Sequence, residues 1–204
     1  MPAPDPTVHR HDGFYLRLGL GGGFFAGRIA YTWVENGERT SSITSHGGGV
    51  AFEFAMGGTV APGLVIGGGI YSSSAQHANW NIPSSLSDKL ATGTIEGGQG
   101  SIGLLGVIVD YYPNPQQGFH VQGGLGIGTL TFEADKLFPL AKWAGGGGGA
   151  MVGVGYEFWV SSQWSIGGIA RVLGVSGTVR PENTSQNFSS KFYAPALLLV
   201  ATHH

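Results

Sequence analysis

Four charged residues stand alone inside otherwise uncharged β-type runs: Arg17, Glu53, Glu157 and Arg171. Two bases and two acids can neutralise one another, and buried charges must pair. Such a quartet serves either as a gate or selectivity constriction, or as a structural plug. Counted from the ends of their runs, Arg17 and Glu157 lie near one level and Glu53 and Arg171 near another. The expected pairs are therefore Arg17–Glu157 and Glu53–Arg171. His120 and Gln122 share the polar face of a further run and read as an interior hydrogen-bonding pair rather than as a base with its partner. No Ser/His/acid spacing singles out a nucleophile, so neither enzymatic activity nor a cofactor is expected. Gly98-Gln99-Gly100-Ser101-Ile102-Gly103 matches the dinucleotide fingerprint only in form, because that site needs a strand before it and a helix after it. The terminal histidines His9, His11, His203 and His204 read as solvated, and no metal site is expected. Trp33, Trp80, Phe138 and Trp143 fall in polar connections, where exposed aromatics can contact a surface partner or a small solute.

The elements that must hold these residues are strands. Phe119 to Thr131 alternates with period two, setting Phe119, Val121, Leu125 and Ile127 against His120, Gln122, Gly124, Gly126 and Gly128. The same pattern recurs over about 14–25, 50–57, 64–71, 99–112, 151–160, 164–177 and 192–202, which makes eight strands. The inward faces of the fourth and eighth cannot be assigned from their residues. Residues 1–12 read as an unstructured leader and 13–204 as one barrel domain. Connections are expected to alternate strictly between long and short, with both termini on the short-turn side. Ala61-Pro62-Gly63 is a tight-turn signal. Pro195 falls inside the eighth run, where a ladder tolerates proline poorly.

Composition narrows the setting. The chain has 204 residues with 38 glycines, no cysteine, 11% charged residues and a net charge of −2. A soluble domain has ~7% glycine and ~25% charged residues. No apolar run reaches the ~18 residues of a membrane-crossing helix, and the near-neutral charge gives no reason to expect nucleic acid. These four charges all lie on the glycine-rich face, and the opposite face carries none. A soluble, lipocalin-like ligand-binding barrel would show the reverse, with charges outward. The pattern favours an all-β, eight-stranded, antiparallel, up-and-down transmembrane β-barrel, its apolar face in lipid. Tyr111, Tyr112, Phe119, Trp159 and Trp164 cluster at the short-turn ends, where aromatic girdles sit at headgroup level. The glycines Gly19, Gly21, Gly67, Gly69, Gly124, Gly126, Gly153 and Gly155 leave room inside, unless they serve strong strand coiling.

In strand pattern, loop side and girdles, residues 13–204 resemble the small eight-stranded outer-membrane proteins of Gram-negative bacteria, of the OmpA-transmembrane-domain, OmpX and OmpW type. The likeness rests on no sequence motif. The chain departs from the type at its end, Ala201-Thr202-His203-His204, where an aromatic residue is usual. The resemblance implies an outer-membrane location with periplasmic termini and extracellular long loops. Its partners would be the lipid bilayer and lipopolysaccharide, with the protein a monomer. The leading functional expectation is a structural or surface-interaction protein with a charge-plugged lumen. The alternative is a narrow conduit for small or hydrophobic solutes.

Overall fold

Alternating side chains and turn-forming breaks close the chain into an eight-stranded antiparallel barrel in which every strand pairs with its neighbours in sequence and β1 pairs with β8. The computed structural model describes residues 13–34, 38–83, 93–133, 142–182 and 185–204. The strands are β1 (Phe14–Val34), β2 (Glu38–Ala61), β3 (Leu64–Ile82), β4 (Gly93–Tyr111), β5 (Phe119–Glu133), β6 (Lys142–Trp159), β7 (Trp164–Pro181) and β8 (Phe188–His203). The expected leader, residues 1–12, lies outside the described residues, as does Phe138. Pro62 and Gly63 turn β2 into β3 with Gly63 at φ 73°, a left-handed conformation that glycine adopts without a Cβ penalty. The Gly98–Gly103 motif is part of β4.

The strands are longer than their apolar stretches, at 15 to 24 residues, where ~9–11 suffice to cross hydrocarbon. Much of what reads as polar loop is ladder: Ser41, Ser42, Thr44 and Ser45 of β2 pair with Tyr31, Ala30, Arg28 and Gly27 of β1. Backbone hydrogen bonds need no apolar side chain, and a wall with water outside it can carry Ser and Thr. The long–short alternation holds from each connection to the next, but the two sides overlap in length. Residues 35–37 join β1 to β2, whereas 112–118, on the side of the termini, join β4 to β5.

The outer wall carries an apolar band. Leu197 and Leu199 are 70% and 79% exposed, and Leu20, Leu105, Leu125 and Ile127 are likewise outward. Above the band, away from the termini, the same faces turn polar at Arg28, Ser74, Ser101, Thr129, Ser176 and Lys191. Lys191 thus lies within β8. Pro195 also sits mid-strand. Its ladder to β7 is continuous, while the one to β1 lacks the two pairs between Gly23–Ala196 and Ala26–Tyr193, with no change of register. Proline has no N–H to give, and the break on one side is the result.

Candidate functional site

The interior side chains form two layers. The lower layer, near the termini, is the charged one. Arg17 on β1 is fully buried and reaches Glu157 Oε1 of β6 at 2.6 Å and Asp110 Oδ2 of β4 at 2.8 Å. Its Nη2 also donates to Tyr112 Oη at 2.7 Å and its Nε to Thr202 Oγ1 at 3.0 Å. Arg171 on β7 pairs with Glu53 Oε2 at 3.2 Å and donates to the carbonyls of Phe52 and Ser72. Gln122 donates to Glu53 Oε1 at 3.1 Å, and Arg17 Nη1 stands 3.9 Å from the same carboxylate, linking the two groups. Both guanidinium groups lie over lumenal rings, Arg17 over Tyr15 and Arg171 over Tyr71.

Both expected pairs therefore form, and His120 and Gln122 join them inside. The residue that sequence reasoning misses is Asp110. It accepts from Tyr15 at 2.9 Å and meets His120 Nδ1 at 2.8 Å, so Arg17 faces two close carboxylates rather than one. β4 is apolar on both faces, and only closure assigns Ile102, Leu104, Ile108 and Asp110 to the inside. In β8 the inward face carries Ala194, Ala196, Leu198, Val200 and Thr202.

Chemically, this arrangement sets buried charge against counter-charge. Asp110, His120 and Glu157 surround a guanidinium, which takes the position a bound cation would. Ser165 lies 3.0 Å from His204 Nε2 and superficially resembles an activated nucleophile. Its single proton, however, goes to Glu157, so its oxygen accepts from the imidazole, the opposite of what base activation needs. His204 is not a solvated tail residue. Its ring is buried among Tyr15, Tyr112 and Trp159 at the lower end.

The upper layer is aromatic and aliphatic. Phe25, Phe132 and Phe192 meet with centroids 4.5 to 5.8 Å apart, and Trp80 packs edge-on against Phe132 at 5.3 Å. Trp143 packs on Phe188. Trp80 and Trp143 are thus buried strand residues, not loop aromatics, because the ladders of β3 and β6 extend past them. Trp33 likewise belongs to β1. The expected girdle is corrected too. Tyr111, Phe119 and Trp164 face outward, but Tyr112 is fully buried and Trp159 turns inward onto His204. Neighbouring residues of an extended chain point to opposite sides, so Tyr111 and Tyr112 cannot both face outward.

Rings occupy much of the space over the inward glycines. Phe192 lies over Gly27 and His120 over Gly155, each directly opposite in the ladder, and Trp80 lies over Gly98. Elsewhere two glycines face each other, as Gly57 with Gly67 and Gly106 with Gly126, where an added Cβ would come within 2.8 Å of the partner's Cα. These glycines are sites of close packing and strand coiling.

With this geometry in hand, solved structures of three proteins are informative. Neisserial surface protein A matches at 14% identity, over 94% of this chain and 96% of that one, with a TM-score of 0.51. The outer membrane protein OprG from Pseudomonas aeruginosa matches at 12% identity, over 96% and 97%, with a TM-score of 0.52. Its fold is that of the small outer-membrane barrels. The outer membrane protein AlkL, solved in lipid bilayers, matches this same outer-membrane barrel fold over the whole chain and 95% of its own, at 14% identity and a TM-score of 0.50. No family model matches the chain, and no curated protein matches it in sequence. The likeness is one of architecture, an up-and-down antiparallel sheet closing in a ring.

Proposed function

We propose that this chain is an integral outer-membrane barrel with a closed lumen, acting through its wall and its outward end in a structural or surface-interaction role and without enzymatic activity. The filling of the lumen carries this reading, with ion pairs around Arg17 and Arg171 below and the Phe25–Phe132–Phe192 cluster above. A conduit requires open space over the inward glycines, and rings or facing backbone take much of it. The membrane setting is supported by the apolar outer band, whose ordinary height in such barrels is ~25 Å. A soluble lipocalin-like barrel would pay for that exposure in aggregation. In this setting the termini are periplasmic and the longer connections extracellular. The surrounding bilayer and its lipopolysaccharide are the immediate partners, and the protein is a monomer.

Single-channel recording of refolded protein in planar bilayers tests the closed lumen. The wild type is expected to be silent. Arg171→Ala is expected to stay silent as well, because the aromatic layer above it is intact. Combining Arg17→Ala and Arg171→Ala with Phe25→Ala, Phe132→Ala and Phe192→Ala is expected to open stable steps. Stable conductance in the wild type would overturn the plug and favour the conduit.

A further inference from the structure

One row of the outer wall breaks a rule of sheet pairing. Arg28 of β1 lies directly opposite Lys191 of β8, both outward and exposed. Like charges in that position repel, and no described carboxylate pairs with either. The row continues to Thr44 of β2 on one side and Ser176 of β7 on the other, in register and also exposed. Two cations flanked by two hydroxyls therefore face outward at one level, where the wall turns from apolar to polar.

A second, independent feature lies beneath. An apolar groove of about 660 Å³ crosses the wall over Gly22, Ala170 and Pro195, with Phe24, Val152 and Leu197 as its sides. Proline and small residues make the depression, and the broken β1–β8 ladder runs through it. Arg28 lies four positions beyond Phe24, and Lys191 four positions before Pro195. At ~3.3 Å per residue that is ~13 Å along the wall, with Tyr193 exposed between. An acyl chain resting in the groove would carry its headgroup to the row of donors.

We infer that the Thr44–Arg28–Lys191–Ser176 row and the groove below it form one binding site for a phosphorylated, anionic acyl lipid of the leaflet nearest the longer connections. The site rests on the membrane-barrel reading above. A phosphate placed between Arg28 and Lys191 removes their repulsion and takes charge-assisted hydrogen bonds from both, the Arg fork matching phosphate geometry. The opposite wall needs no such ligand, since Lys142 already has Glu133 at 3.5 Å.

The test is native mass spectrometry of refolded protein in detergent, with dimyristoyl phosphatidylglycerol or dimyristoyl phosphatidylcholine added at equal concentration. One anionic lipid is expected to be retained in preference to the zwitterionic one of identical chains. Arg28→Gln with Lys191→Gln is expected to reduce that preference by roughly thirtyfold, the fold-change for two interfacial cations. Ala170→Trp, which fills the groove from outside the core, is expected to lower retention of both lipids. Inorganic phosphate is expected not to displace the lipid. Equal retention of the two lipids, or a preference surviving the double substitution, would overturn the site. Displacement by phosphate, or retention unaffected by Ala170→Trp, would overturn the groove's part in it. Heat-modifiable migration on gels reports folding of each variant. A wild type that inserts into no bilayer would instead overturn the membrane reading itself.

Discussion

Replacing Arg17 by methionine perturbs the lumen at its most connected point. The guanidinium lies within 3 Å of two carboxylates and at 3.9 Å from a third. Methionine keeps much of the volume and removes the charge, leaving Asp110 and Glu157 buried together. Each retains donors, Tyr15 and His120 for Asp110, Thr202 and Ser165 for Glu157. The losses therefore do not sum over three pairs, and the expected destabilisation is that of breaking one buried ion pair, about 3–5 kcal/mol. Arg171→Met should cost less. Its carboxylate partner among the described residues, Glu53, keeps Gln122 and the more distant Arg17. Adding Glu157→Gln to Arg17→Met should recover about 1–3 kcal/mol relative to additivity, because one buried charge no longer needs a counterion. Equilibrium urea unfolding in lipid vesicles, followed by tryptophan fluorescence, measures all three. An Arg17→Met cost below about 1 kcal/mol, level with that of Arg171→Met, would mean that the network is hydrated like a surface pair. The closed lumen would fall with it.

Two further outcomes test packing and orientation. Gly27→Val places new atoms in the Phe192 ring and is expected to cost about 1–3 kcal/mol, whereas Gly148→Ala, with nothing within 4 Å of the new Cβ, is expected to be nearly neutral in the same unfolding assay. Equal effects of the two would refute the ring-over-glycine packing. In single-tryptophan variants, brominated lipid is expected to quench Trp164, which faces outward, and to spare Trp80, which is 2% exposed inside the barrel. Quenching of Trp80 would put the inward face wrong.

Much of this architecture is legible without coordinates because a strand's period of two sorts side chains by polarity. Arg17, Glu53, Glu157 and Arg171 fall on the face opposite Leu18, Phe52, Phe158 and Val172, so which side is interior follows from which side can bear charge. Pro62 and Gly63 announce their turn for an equally local reason, a backbone conformation. The limits of the ladders are less legible. Ser41, Ser42 and Thr44 carry no apolar face, yet their backbones pair as well as any others.

What only closure decides is who meets whom. Asp110 comes to Arg17 across 93 residues of chain because shear brings one end of β4 level with the start of β1, and β4's own residues give no inward face. Phe192 covers Gly27 through the β1–β8 seam, a contact between the two ends of the sequence. The pairing of Arg28 with Lys191 arises at that same seam. Residue types determined that this chain has a charged inside and an apolar outside. The register at which the first and last strands join determined which side chains meet inside, and that two cations stand together on the wall.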